Sequence, residues 1–128
     1  MTATHDPRPV PAEWLGFLGR HPAALVVGAV GRVVSLEGSR AHSGRVGAEI
    51  TRAVAAQLIE TCTDGTRCEW AAWWQGVTRA LRAGPSGAGV EISVLEHGTM
   101  LGRWRVTSSR LPALTASLRT AITEAGKP

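Results

Sequence analysis

Between Thr66 and Arg82 the apolar residues Trp70, Trp73, Trp74, Val77 and Leu81 recur at steps of three and four, with Gln75, Arg79 and Arg82 on the other side. At about 100° per residue they fall on one face of a helix, so the pattern predicts a core-facing helix here. Thr66 and Glu69 have the spacing of a capping box, in which each side chain satisfies a free backbone N–H at the helix start. Gly84-Pro85-Ser86-Gly87 would end the element in a loop.

The rest of the chain divides in the same way. Pro11 to Gly19 reads as a short helix, with Pro11 in the first turn and an apolar side of Trp14, Leu15, Phe17 and Leu18. Ala24 to Glu37 is rich in Val and reads as strand, with a bulge or break near Gly28 and Gly31. A turn at Glu37-Gly38-Ser39 would then start a short return strand through Arg40 and Ala41. A second helix is predicted from Val46 to Thr61, with Ile50, Ala53, Val54 and Leu58 facing inward. A hairpin follows over Gly89 to Thr107. A three-residue loop, Glu96-His97-Gly98, would keep Val90, Ile92, Val94, Met100, Trp104 and Val106 on one face. A two-residue His97-Gly98 loop would put Arg103 and Arg105 among the valines. The last helix runs from Leu111 to Glu124, on a stripe of Leu111, Leu114, Leu118 and Ile122, with Ala125-Gly126 as its end.

These elements give the order α-β-(β)-α-α-β-β-α, an α+β fold with a mainly antiparallel sheet and helices packed on it. Met1 to Val10 reads as a flexible arm and residues 11–128 as one domain, with no convincing internal repeat. The order of elements and the Val-rich first strands resemble the Roadblock/LC7 type of small regulatory domain. The Trp-bearing helix is an addition to that pattern, and two late strands stand where that type has three.

Composition narrows the class of protein. An apolar fraction of 44% over 128 residues is enough for a core without metal or disulfide staples. The formal charge is +4, and Lys127 is the only Lys beside thirteen Arg. Such Arg richness follows from GC-rich coding, or serves an anionic partner. The Arg residues are scattered rather than clustered. No stretch approaches the roughly 20 apolar residues of a membrane span, and the N-terminal residues lack a signal-peptide pattern. The expectation is a cytoplasmic protein with no membrane association. In that compartment Cys62 and Cys68 would be free thiols; a disulfide closing their short loop needs an oxidising one. No His stands at a spacing that would make them a zinc site.

Candidate chemistry is sparse. Trp70, Trp73 and Trp74 are candidate interaction residues, since three indoles in five positions are many for one small core, and Trp is enriched at binding hot spots. Gly44-Arg45-Val46-Gly47 resembles the Gly-x-x-Gly clamp of KH domains and would open a helix whose free N–H groups face an anion. Arg40 and Arg45 beside it, and Arg103 and Arg105 in the hairpin, are the candidate anion contacts. His5, His21, His42 and His97 stand in no nucleophile or metal signature, and no phosphate loop or dinucleotide fingerprint is present, so no catalytic residue, metal or cofactor is assigned. The leading reading is a non-catalytic regulatory or interaction domain that self-associates or docks on a protein. The alternatives are a nucleic-acid-binding accessory protein using its Arg residues, and a small ligand-binding protein or enzyme with a Trp-lined pocket.

Overall fold

The computed structural model describes residues 9–16, 19–39 and 44–127. Its strands are β1 (Pro9–Gly16), β2 (Gly19–Val30), β3 (Val33–Ser39), β4 (Arg45–Ile50), β5 (Cys68–Trp74), β6 (Val77–Ser86), β7 (Gly89–Glu96) and β8 (Thr99–Thr107). Two α-helices follow the fourth and eighth strands: α1 (Arg52–Asp64) and α2 (Leu111–Ala125), the latter after a single 3-10 turn. The strands pair antiparallel in sequence order and close on themselves as an eight-stranded barrel. The α+β expectation, with helices laid on a sheet, is therefore overturned, and with it the order α-β-(β)-α-α-β-β-α and the likeness to the Roadblock/LC7 type.

The Trp segment is the plainest correction. Residues 66–82 are not a helix; they form β5, a turn at Gln75-Gly76, and most of β6. Gln75 and Gly76 have φ of 50° and 83°, the two left-handed positions of a tight hairpin turn. Trp and Val are strong strand formers, so alternation across a two-residue turn places Trp70 opposite Leu81 and Trp74 opposite Val77. No capping box forms. Thr66 donates from its backbone N–H and its hydroxyl to the Asp64 carboxylate, while Glu69 pairs with Arg82 on the next strand. Of the expected helix at Pro11–Gly19, residues 11–16 belong to strand β1, Gly19 opens β2, and residues 17 and 18 lie outside the described residues; the 46–61 helix splits into β4 and the later-starting α1. The break in the Val-rich run falls at Gly31-Arg32, and Glu37–Ser39 lie inside β3. Of the expected arm, residues 1–8 lie outside the described residues, while Pro9 and Val10 already belong to β1.

The β7–β8 hairpin overturns the expected three-residue loop Glu96-His97-Gly98 but keeps the apolar face that the loop was meant to secure. Its turn is the two-residue His97-Gly98, and Leu95 pairs with Met100. A bulge then shifts the register by one, so that Val94 meets Gly102, Ile92 meets Trp104 and Val90 meets Val106. One extra residue on β8 keeps the apolar face inside despite the short turn. Met100 leaves that face and is 44% exposed. Helix α2 matches its predicted stripe: Leu114 and Leu118 are fully buried, and Leu111 and Ile122 pack at the margin.

One core fills the barrel. It joins Leu25 and Val27 of β2, Leu36 of β3, Ile50 of β4, Leu81 of β6 and Ile92 of β7 with Leu58 of α1 and Leu118 of α2. The two helices pack on each other, α2 also over β2 and β3, and α1 over β6. Trp104, with no exposed surface, lies across the interior from β8 to β3, where its indole N–H donates to the Ser39 carbonyl at 3.0 Å. A Cβ on Gly38 would come within 2.1 Å of that ring and one on Gly102 within 2.2 Å, so only glycine fits against the indole at either position.

Closure is uneven. Ladders within β1–β4 and within β5–β8 run nearly the full strand length. The β4–β5 seam holds the single pair Glu49↔Trp73, and the β1–β8 seam holds Glu13↔Arg105 and Trp14↔Trp104. Side chains make up part of the deficit. Arg79 of β6 crosses the first seam, donating from Nη1 to the Gly47 carbonyl at 2.6 Å and from Nε to Glu96 at 3.3 Å. At the second, the Trp14 and Trp104 rings meet edge-on with centroids 5.5 Å apart.

Candidate functional site

The candidate interaction residues part company in the barrel. Trp70 is half-buried against α1 and donates its indole N–H to the Gln57 side chain at 2.7 Å. Trp74 lies on Gly47, where a Cβ would come within 2.4 Å of its ring. Both therefore have structural work to do. Trp73, one residue before Trp74, is 40% exposed, and Val77, just past the turn, is 42% exposed. The β5–β6 hairpin thus ends, at a two-residue turn, with Trp73 exposed on one face and Val77, opposite Trp74, exposed on the other. The Trp74 indole is anchored on β4.

The candidate anion contacts are occupied. Arg45 reaches Glu37 at 3.4 Å. Arg103 makes two bonds to Glu91, at 2.8 and 3.0 Å, which hold its guanidinium still more firmly protonated. Arg105 bonds to the Ser86 hydroxyl at 3.3 Å and lies 3.9 Å from Glu13. Glu13 also lies 3.7 Å from Arg20, so its Oε2, buried and without a hydrogen bond, sits between two guanidinium groups. Arg40 lies outside the described residues, as do His42 and Ser43. The Gly-x-x-Gly stretch does not open a helix: Arg45 to Gly47 are the first residues of β4. The outside of the barrel thus carries Arg–Glu pairs and the inside apolar side chains, the reverse of a barrel that faces lipid.

Three surface clefts stand out among the described residues. One of about 550 Å³ opens where β1 and β8 part beyond Trp14, between Trp14, Leu15, Met100, Leu101 and Arg103. A second of about 390 Å³ lies among Arg67, Glu69, Arg82, Glu91 and Ser93. The third, about 160 Å³, is walled by Pro11, Glu13, Arg105 and Arg110. None of the three is lined by Trp70, Trp73 or Trp74; the cleft of about 550 Å³ has Trp14 in its wall. Among the described residues no three His, Cys, Asp or Glu side chains converge as metal ligands. Cys62 and Cys68 are unbonded; burial pushes the Cys62 thiol up from 9.0 to about 11, away from the thiolate that redox or nucleophilic chemistry requires. No helix among the described residues is long and apolar enough to cross a membrane.

No protein-family model matches the chain, and neither a curated protein nor a solved structure matches it. The site therefore has to be read from its own geometry. The signal for Trp73 was present in the sequence as Trp-Trp-Gln-Gly-Val, two aromatics and a Val around a Gly-containing pair, which is a hairpin signature.

Proposed function

We propose that this chain is a non-catalytic interaction domain that docks on a protein partner through the tip of its β5–β6 hairpin. The observation behind this reading is the exposure of Trp73 and Val77 at the end of a hairpin whose other indoles are tied down. A projecting hairpin end with an exposed indole on one face and a valine on the other fits a cleft on a folded partner that receives the Trp73 face. An indole buries about 150–250 Å² in full. Covering the exposed part of Trp73 removes on the order of 100 Å² from water, about 2.5 kcal/mol at 25 cal/mol per Å². That is the size of a binding hot spot.

The test compares affinity capture by the wild-type chain and by W73S/V77S, followed by titration of each purified, identified partner. The reading expects a partner whose affinity falls at least tenfold in the variant, with the variant's melting temperature unchanged. Equal affinity of both chains for every captured partner would refute it. A doubled mass at high concentration that the variant abolishes would assign the cleft to a second copy.

Nucleic-acid binding is the weaker reading. Arg45, Arg103 and Arg105 each face a Glu, so binding phosphate would first cost those pairs. It calls for retardation of DNA or RNA at low salt, lost steeply as salt is added.

A further inference from the structure

The barrel is built twice over. Each half is four antiparallel strands followed by a helix: β1–β4 with α1, and β5–β8 with α2. The registers repeat as well as the order. Leu25↔Gly38 in the β2–β3 ladder becomes Leu81↔Val94 in β6–β7 when both numbers rise by 56. Val34↔Ile50 in β3–β4 becomes Val90↔Val106 in β7–β8 by the same step. The turns repeat too, since Gly31 and Gly87 have φ of 58° and 56°. Thr51 and Thr107, which lead into the helical segments, have φ, ψ of −69°, 161° and −68°, 158°. Leu58 and Leu114, also 56 apart, are both fully buried. Strand β1 maps onto β5 with a step of 60, the difference being taken up in the first hairpin of each half.

This relation makes the two seams equivalent. Glu13↔Arg105 maps onto Trp73↔Glu49, with β1 onto β5 and β8 onto β4. The helices are exchanged in the same sense: α2 packs on β2 of the first half, and α1 on β6 of the second. Each half therefore offers the other a short strand seam and a helix, and receives the same in return, as the two sides of an isologous dimer interface do. The only covalent link between them is Gly65–Arg67, which joins α1 to β5.

We propose that the seam surfaces are an interface for a second copy of this chain, in which β1–β4–α1 of one copy closes a barrel with β5–β8–α2 of the other. All contacts that hold the monomer are reused in such a dimer. The tether alone chooses between the two, by giving the chain's own second half an effective concentration in the millimolar range. At micromolar concentration the chain closes on itself. Shortening the tether removes that advantage, because α1 can no longer turn back into β5.

Two experiments on the full-length chain test this. Deleting residues 65–67 is expected to double the mass by light scattering while leaving the far-ultraviolet circular dichroism unchanged. A folded monomer would overturn the proposal. The second does not depend on that variant folding. E13C and R105C chains, each in a C62A/C68A background, are refolded together from urea at about millimolar concentration. Because Glu13 and Arg105 are directly paired across the β1–β8 seam, exchange brings the two thiols within disulfide reach. The expected product is an E13C–R105C disulfide of dimer mass, absent when the two chains are refolded separately at micromolar concentration and only then mixed. No excess of that product over the separately refolded mixture would overturn the proposal, whatever the deletion variant does.

Discussion

Gly38→Ala adds one methyl group to the most constrained point of the barrel. The new Cβ would lie 2.1 Å from two atoms of the Trp104 ring and 2.7 Å from a third. The ring has little freedom to shift, because it is fully buried, lies close to Gly102 as well, and has its N–H fixed on Ser39. Overpacking of this kind costs about 1–3 kcal/mol, and a ring so held puts G38A at the upper end. Trp104→Leu alone removes most of a fully buried indole and is expected to cost about 3 kcal/mol through the lost packing. In the W104L background the added methyl has room. Replacing Gly by Ala there should be neutral, or stabilise by about 0.5 kcal/mol through the unfolded chain. The coupling between the two sites is therefore at least about 2 kcal/mol. Urea unfolding followed by far-ultraviolet circular dichroism measures it, each variant being referenced to its own folded baseline because removing Trp104 changes both the fluorescence and the contribution of the Trp14–Trp104 pair to the dichroism. Gly28→Ala is the control, because nothing lies within 4 Å of a Cβ there and its φ is not left-handed. Additive effects of G38A and W104L would refute the account of the indole as packed against two glycines, as would a G38A variant as stable as G28A.

Three further outcomes follow from the contacts described. Arg79→Ala should cost about 2–3 kcal/mol, because it leaves the Gly47 carbonyl and Glu96 without their charged donor; hydrogen exchange should quicken first in β4, and uniform exchange would count against Arg79 as the clasp of that seam. By contrast, a double-mutant cycle on Glu91 and Arg103 should give under about 1 kcal/mol despite two good bonds, since Arg103 is half-exposed. Cys62 should resist alkylation at pH 8, where a thiol titrating near 11 is only about one part in a thousand thiolate; mass spectrometry of time points reads this, and rapid labelling of Cys62 in the folded chain would contradict its burial. The sign of the linkage follows: a folded pKa raised above the ordinary 9.0 contributes stability below pH 9, which is lost as the pH rises through about 11.

Helix α2 was legible in the sequence because its four apolar residues fall at steps of three and four, the period of one helix face. The Trp segment has the same spacing by coincidence. Trp70, Trp74, Val77 and Leu81 satisfy a helical stripe, yet they also satisfy strict pairing across a two-residue turn. Residue type decides between the two, and the aromatic and β-branched content favoured the strand. The β7–β8 face was read correctly except for Met100, because the choice was framed as one loop length against another. A bulge escapes such a choice, since it changes register in mid-strand. Trp73 was among the candidate residues, but its exposure depends on where the β4–β5 seam ends, and no local pattern encodes that. The Arg residues looked available because the Glu partners of Arg45, Arg103 and Arg105 stand 8, 12 and 92 positions away, and come opposite only when the strands fold back.

The edge-on pair of Trp14 and Trp104 has an optical consequence. Two indoles 5.5 Å apart and inclined at 66° share their electronic transitions, and a chiral pair at that distance adds a signed couplet to the circular dichroism in the far ultraviolet. One member sits on the first strand and the other on the last, so the couplet exists only while the barrel is shut. The helices contribute their own bands whether or not that seam is closed. The chain therefore carries a built-in gauge of its own closure, one that separates the opening of the β1–β8 seam from general unfolding without any label.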